Sequence, residues 1–298
     1  MVKASNKTEI DPSPIDSLAA GIALRKVILF VGGGVSQYLG LPDFHELIQH
    51  IAGQLEFAET SLDISDYPIL AEAYVLRHGK LGALRSWMDE RWHSPTIDVT
   101  KSDIHNLIID LDFPIIYTTN YDRWLENAFA ARRKPFHKVA NMADLTLHPN
   151  ATEIIKFHGD FEDDESLVLT ETSYFQRMSF ETPLDIRLRA DCLARPLLFI
   201  GYSLHDINTR YLLFRLQELW KNSAFVEQRP KSYIFMAQPN QAQEIVLRSR
   251  GIEPILAEKT DPGRATAEFL RKLHRAVAAK SKKMKDQRQG ATSERRTG

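Results

Sequence analysis

Small and polar residues follow four apolar segments of this chain, at the points where strands would end. Parallel strands of an open sheet place their carboxyl ends at one edge, so we expect these residues to share one ligand-binding crevice. Glycines leave backbone amides accessible to a phosphate, and Ser203 offers a hydroxyl for a ribose or phosphate. Asn120 offers an amide, and His158 offers an imidazole, the kind of side chain that can exchange a proton near neutral pH. The four small and polar segments that follow the apolar ones are Gly32–Ser36, Thr119–Asp122, His158–Asp160 and Gly201–Asp206.

Several common reaction types lack their motifs in this sequence. Without Gly-x-x-x-x-Gly-Lys-Ser/Thr, Gly-x-Ser-x-Gly or His-Glu-x-x-His, we expect no P-loop phosphoryl transfer, no serine acyl transfer and no metal. The single cysteine, Cys192, excludes an internal disulfide and a multi-cysteine zinc site. It lies on a predicted apolar helix face, where a small buried hydrophobe is expected rather than a nucleophile. A strict dinucleotide fingerprint would place a third glycine at Gln37.

Each candidate residue also has a purely structural explanation. The glycines fit a tight turn that binds no ligand. Asn120 and Asp122 lie at the start of a helix predicted over 121–131 and are good N-cap residues, so capping alone would explain one of them. His158 fits a turn histidine after a strand. These alternatives stay open on the residues alone.

Alternating strand and helix patterns predict how these residues are positioned. Short apolar runs bounded by turn residues are typical of strands buried on both faces. A region without strands at 58–112 is predicted to form a helical insertion beside the sheet, and a helix is predicted over 264–280. Strands that alternate with helices predict a doubly wound parallel sheet of the α/β class. The predicted strands are 27–31, 113–119, 136–139, 152–157, 196–200, 232–236 and 252–256.

Composition describes an ordinary globular protein with an uneven charge distribution. The 298 residues are 43% hydrophobic and 26% charged, with a net charge of -1. Residues 280–298 hold seven Lys/Arg and two Asp/Glu, which predicts a basic, disordered tail after one domain at 1–279. Direct nucleic-acid binding by this tail stays open. No membrane-length apolar run, no secretion-signal core and a single cysteine together predict a cytoplasmic protein.

The order of the motifs resembles the sirtuins, and most closely the sirtuin-like NAD hydrolases of bacterial anti-phage defence. The resemblance runs from about Val27 to about Asn208. It implies the Rossmann-like fold of the sirtuin large domain. The motifs that carry it are Gly32-Gly-Gly-Val-Ser36, Gly40-Leu-Pro-Asp-Phe44, Thr119-Asn-Tyr-Asp122, Phe157-His-Gly159 and Gly201-Tyr-Ser203.

The resemblance also implies a role for each matching residue. NAD would be the substrate, and the catalytic residues would be Asn120, beside the nicotinamide–ribose bond, and His158, as the base. Gly33, Gly34 and Ser36 would hold the NAD phosphates. The remaining NAD-binding residues would be Asp43 and Phe44 at the nicotinamide, Asp122 beside the scissile bond, and Gly201 and Ser203 on the adenosine side.

Departures from the sirtuin pattern favour hydrolysis over protein deacylation. Sirtuin deacetylases carry four cysteines in a zinc ribbon, whereas this chain has one and is expected to have no zinc ribbon. Thr119 stands where they have Gln, and His45 where they have Arg. We therefore expect an NAD+ glycohydrolase that produces ADP-ribose and nicotinamide. A non-catalytic module that senses NAD or ADP-ribose and a zinc-free deacylase are the alternatives.

An unregulated NAD hydrolase would harm its own cell, so we expect its activity to depend on assembly. The resemblance implies a homo-oligomer and, in some systems, a hexameric ATPase of the HerA helicase type or an Argonaute-type protein as partner. The helices within 58–112 and 171–194 are candidate interfaces. No membrane partner is expected.

Overall fold

A sheet of seven parallel strands organises the chain. The computed structural model describes residues 13–42, 44–57, 67–146, 150–202, 207–221, 224–258 and 261–294. The strand order is β3-β4-β2-β1-β5-β6-β7, so the chain reverses its direction across the sheet between β1 and β5. This confirms the predicted doubly wound sheet. The strands are β1 Ile28–Val31, β2 Ile115–Thr118, β3 Phe136–Val139, β4 Thr152–Lys156, β5 Leu197–Ile200, β6 Ser232–Met236 and β7 Ile252–Leu256.

The central strand β1 is buried on both faces. Leu29 lies opposite Ile116 of β2 on one side and Leu198 of β5 on the other. Because successive side chains point to opposite faces, Leu29 and Val31 join one apolar cluster, whereas Ile28 and Phe30 join another. Such a strand has no polar face, which explains its uninterrupted apolar sequence.

Twelve α-helices lie in the described residues. Pro14 opens the first helix and Ser13 caps it, with the amide of Asp16 donating to Ser13 Oγ at 3.2 Å. The helices are α1 Pro14–Ala23, α2 Gly34–Gln37, α3 Phe44–Gln54, α4 Tyr67–His78, α5 Gly82–Trp92, α6 Asp103–Asp110, α7 Trp124–Ala131, α8 Glu171–Met178, α9 Pro183–Ala194, α10 Ile207–Lys221, α11 Gln241–Ser249 and α12 Pro262–Glu294.

Helices cover both faces of the sheet. One apolar cluster joins the sheet to α1, α6, α7 and α12, and the other joins it to α9, α10 and α11. A third cluster lies in the helical insertion and contains buried residues of α3, α4 and α5. This third cluster also includes α3, which precedes the predicted insertion at 58–112, and excludes α6, because Ile104 and Ile108 of α6 pack on the sheet cluster.

The last helix is longer than predicted. It continues to Glu294, although the sequence predicts a helix over 264–280 followed by a disordered tail. Lysine, glutamine, arginine and alanine dominate residues 280–292, and these are good helix formers as well as solvated residues. Composition alone therefore did not separate a helix from a disordered tail. The domain boundary at 279 stays a prediction.

No helix in the described parts of the chain combines the length and the apolar character that crossing a membrane requires.

Candidate active site

The glycine turn after β1 packs directly against the turn after β5. A Cβ atom on Gly32 would lie 2.6 Å from the carbonyl oxygen of Gly201, so only glycine fits there. The amide of Gly34 donates to the same carbonyl at 2.9 Å. Gly201 has a φ of +73°, which also favours glycine. These contacts form the floor of the site at the point where the strand order reverses, and they explain why Gly32 and Gly34 are glycines.

The two glycines predicted to hold phosphates are not equivalent. The Gly34 amide is already bonded to Gly201, and a Cβ on Gly34 would meet that residue at 2.9 Å. A Cβ on Gly33 would meet no atom within 4 Å, so the backbone of Gly33 faces open space. The amide of Ser36 donates to the carbonyl of Gly33 at 3.1 Å, because Gly34–Gln37 forms the short helix α2. Gly33 is thus the residue of the pair that is accessible to a ligand.

Asn120 and Ser36 meet at the ends of β2 and β1. The Asn120 side-chain amide donates to Ser36 Oγ at 3.0 Å, and both residues are buried. The Asn120 backbone amide donates to Thr118 Oγ1, whose hydroxyl donates to the carbonyl of Val31. Two predicted site residues that are 84 positions apart are therefore joined directly.

Asp122 is buried and caps the helix that follows it. Its Oδ1 accepts the amide hydrogen of Trp124 at 3.1 Å, and α7 begins at Trp124 rather than at Tyr121 as predicted. Capping therefore explains Asp122 in structural terms. Its predicted position beside the scissile bond stays a prediction.

A buried histidine lies within electrostatic reach of Asp122. Burial lowers the pKa of His105 to about 4, and the charge of Asp122 partly opposes this shift. The Nδ1 atom of His105 lies 2.8 Å from Ser102 Oγ, and Nε2 has no hydrogen-bond partner among the described residues. The folded protein therefore holds His105 neutral near physiological pH.

Acidification is expected to destabilise the protein through His105. The unfolded imidazole binds a proton near pH 6.5 but the folded one only near pH 4, so stability falls as pH drops through this window. The loss should reach about 3 kcal/mol below pH 4. Urea unfolding of the wild type and of His105→Leu across this range isolates the effect. Equal pH dependence in the two proteins would contradict this assignment.

His158 lies in a tight turn that follows β4. It is 8% exposed, and its carbonyl accepts the amide hydrogen of Val168 at 3.0 Å. Arg177 lies over the Phe157 ring at 4.0 Å and donates to the carbonyl of Phe157. Gly159 follows with a φ of +90°. The backbone on both sides of His158 is thus held by contacts from other segments.

Gly159→Ala is expected to lower the free energy of unfolding by about 2–3 kcal/mol, because this φ is strained for alanine. The new Cβ would also lie 2.2 Å from the carbonyl oxygen of Ser166, so the turn must move. Urea unfolding measures the loss. Gly53→Ala in α3 is the matched control, since a Cβ there meets nothing within 4 Å. Equal stability of the two variants would show that the turn does not require glycine.

Aromatic contacts connect Phe44 to His158. The Phe44 ring lies 4.9 Å from that of Tyr67, and the hydroxyls of Tyr67 and Tyr174 are hydrogen-bonded. The ring centroids of Tyr174 and His158 lie 5.7 Å apart, with the two ring planes at 88°. Phe44 also contacts Trp92 of the helical insertion. The predicted nicotinamide-side residue and the predicted base are therefore linked through aromatic side chains.

Thr119, which follows β2, and Tyr202, which follows β5, meet across the end of β1. Their hydroxyls lie 3.2 Å apart, and the Tyr202 hydroxyl also donates to the carbonyl of Val31 at 3.2 Å. Thr119, which departs from the sirtuin pattern, therefore has a partner in the Gly201-Tyr202 turn. Tyr202 lies inside the Gly201-Tyr-Ser203 motif, but nothing in the sequence indicates this contact.

The remaining predictions concern two site residues outside the described ranges, the expected absence of a metal, and the chemistry of Cys192. Asp43 and Ser203 lie outside the described residues. Among the residues that the structure describes, no group of three or more His, Cys, Asp or Glu is arranged to hold a metal ion. Burial raises the pKa of the Cys192 thiol far above its ordinary value. Cys192 therefore behaves as a small buried hydrophobe.

Comparisons with known proteins agree with this architecture. A family model described as SIR2-like domain matches residues 114–255. The chain is 27% identical over 196 residues to NAD(+) hydrolase ThsA of Cytobacillus dafuensis, covering 64% of this chain and 38% of that protein. It is 27% identical over 209 residues to defense-associated sirtuin 2 of Bacillus subtilis, covering 66% and 20%. The chain thus spans about two fifths or less of these relatives.

A solved structure shows the same fold. The crystal structure of a Sir2 homolog–NAD complex superposes with a TM-score of 0.50 at 13% sequence identity, covering 88% of this chain and 94% of that one. At this identity the likeness concerns the fold alone. The resemblance of this chain to the sirtuin-like NAD hydrolases of bacterial defence is confirmed, and its residues 114–255 match the model of a SIR2-like domain.

Proposed function

We propose that this chain is an NAD+ glycohydrolase. It would break the bond between nicotinamide and the ribosyl carbon and join that carbon to the oxygen of water. NAD+ and water would thus give nicotinamide, ADP-ribose and a proton. The observation that carries the proposal is the pairing of buried Asn120 with Ser36 beside the Gly32–Gly201 contact, at the edge of the sheet where α/β folds bind nucleotides. The relatives named NAD(+) hydrolase support it.

His158 is the proposed base. It follows β4, which is the neighbour of β2 in the sheet, so His158 and Asn120 leave the same edge from adjacent strands. His158 would accept a proton from the attacking water or from a ribose hydroxyl as the bond to nicotinamide breaks. The Asn120 amide would hold that water or hydroxyl below the ribosyl carbon.

A carboxylate would stabilise the positive charge that develops on the ribose. Departure of nicotinamide leaves an oxocarbenium-like centre, which a nearby negative charge stabilises. Asp122 and Asp43 are the two candidates. Asp122 follows Asn120 by two residues and is buried, although one of its oxygens also caps α7.

The remaining predicted residues would bind the rest of NAD. Gly33 offers open backbone for the diphosphate, and Gly34 and Ser36 complete that turn. Gly201 and Ser203 would contact the adenosine side. Phe44 would border the nicotinamide, which agrees with its aromatic connection to His158 through Tyr67 and Tyr174.

The proposed cellular role is depletion of NAD in anti-phage defence, in the cytoplasm. Homo-oligomerisation, or a HerA-type ATPase or Argonaute-type partner, would activate the enzyme. The candidate interfaces carry exposed apolar side chains: Ile69 and Leu76 on α4, Phe175 on α8, and Ile186 on α9. Exposed apolar side chains on neighbouring helices are typical of association surfaces.

The test incubates the purified protein with NAD and measures free nicotinamide, with and without an acetylated peptide, over a range of protein concentrations. Nicotinamide release that needs no peptide is the expected result. Release only with peptide would indicate a zinc-free deacylase and overturn the proposal. NAD that is bound but never consumed would indicate a sensing module and overturn it as well.

A further inference from the structure

Lys156 is a charged side chain with no exposure to solvent, located where β4 ends. Its Nζ atom donates to the backbone carbonyls of Tyr121, at 3.3 Å, and Asp122. The same atom forms ion pairs with Glu126, at 3.2 Å, and Asp160, at 3.8 Å. A lysine is almost never buried unless its charge is paired, so these contacts account for its presence at this position.

Three of these four partners belong to the two loops that carry the proposed catalytic residues, and Glu126 lies on α7, directly after the first of these loops. Tyr121 and Asp122 directly follow Asn120 in the loop after β2. Asp160 ends the turn that contains His158. We propose that Lys156 is a positioning residue that fixes the loop of Asn120 relative to the turn of His158. Its meaning for catalysis rests on the proposed function; its effect on the loop does not.

A lysine at this position indicates a role in positioning the two loops rather than a simple contribution to stability. A buried ion pair is often no more stable than well-packed apolar residues of similar volume. Both oxygens of Glu126 and one oxygen of Asp160 have no hydrogen-bond partner among the described residues, so their charges depend on the ammonium group nearby. Lys138 lies 3.4 Å from the other oxygen of Asp160 and supplies a second cation.

The loop after β2 is also held from its other side. The amide of Arg123 donates to Nε2 of His93 at 2.9 Å, and the Arg123 guanidinium pairs with Asp89. These contacts bind the far end of the loop to the helical insertion, whereas Lys156 binds its carbonyls to the sheet. Lys156 therefore acts on the part of the loop nearest Asn120.

The test uses Lys156→Met and the double variant Lys156→Met with Glu126→Gln. The double variant removes both charges of the buried Lys156–Glu126 pair, while Asp160 retains its ion pair with Lys138. Two quantities are measured: kcat and KM for NAD, and hydrogen exchange of the amides in residues 119–126. Residues 232–236 of β6 serve as the internal reference. Lys134→Met removes an exposed lysine after α7 and is the control variant.

In both Lys156 variants kcat is expected to fall about 10–100-fold with KM changed less than about threefold, because misplaced groups lose rate more than binding. Exchange in residues 119–126 should accelerate about tenfold or more, while β6 stays protected. The double variant should regain thermal stability relative to Lys156→Met but not kcat. Wild-type kcat and unchanged exchange in the double variant would overturn the inference. If the wild type consumes no NAD, the proposed function fails, and the exchange measurement alone still decides the role of Lys156.

Discussion

His158→Ala is expected to lower kcat for NAD cleavage by about 10²–10⁴-fold, the usual contribution of a positioned general base. KM should change little, because the imidazole acts on the reacting proton and not on the bulk of the cofactor. The side chain is nearly buried and packs edge-on against Tyr174, so the variant should also lose some thermal stability. Nicotinamide release under saturating NAD measures kcat, and an NAD-induced rise in melting temperature reports retained binding.

His137→Ala is the matched control for this prediction. His137 lies on β3, next to β4, and its Nε2 atom contacts the carbonyl of Asp144 instead of the proposed site. Its removal should leave kcat within about threefold of the wild type, as expected for a residue outside the reacting centre. Near-wild-type turnover in His158→Ala would show that another group accepts the proton.

Asn120→Ala is expected to lower kcat by about 10²–10³-fold, as loss of a preorganised hydrogen-bonding group at a reacting centre typically does. The variant removes the amide that donates to Ser36 at 3.0 Å and that is proposed to hold the attacking water. The effect should fall on kcat more than on KM, because the diphosphate contacts stay in place. Steady-state kinetics at several NAD concentrations separate the two quantities.

Asn127→Ala applies the same chemical change on an exposed position of α7, seven residues further along the chain. It should leave both kinetic constants close to wild type, because alanine is favourable in a helix. A fall in kcat of equal size in Asn120→Ala and Asn127→Ala would assign the loss to the fold of this segment rather than to the amide of Asn120.

The sheet could be predicted from the sequence because its strands carry a local signal. The run from Val27 to Val31 is apolar on both faces and ends in glycines, which is the pattern of a central parallel strand. The edge strands at 136–139 and 252–256 also match their predicted bounds, since prolines, glycines or charged residues limit them. The convergence of strand ends followed from the parallel topology, and the Asn120–Ser36 contact agrees with it.

The conformation of the loop after β2 could not be predicted, because contacts with residues distant in the sequence determine it. Helical spacing predicted a helix from Tyr121, but the helix begins at Trp124. The carbonyls of Tyr121 and Asp122 accept hydrogen bonds from Lys156 instead of from amides one turn later. The sequence near residue 121 does not predict a contact with a lysine of β4. The only local sign was a lysine at the end of a strand that otherwise reads as buried.

The most direct test of the central claim is a time course of NAD, nicotinamide and ADP-ribose with the purified wild-type protein and no acylated substrate. Nicotinamide and ADP-ribose should appear in equal amounts as NAD disappears, and Asn120→Ala and His158→Ala should abolish most of this conversion. Binding of NAD without any conversion at every protein concentration, or conversion that survives in both variants, would contradict the account.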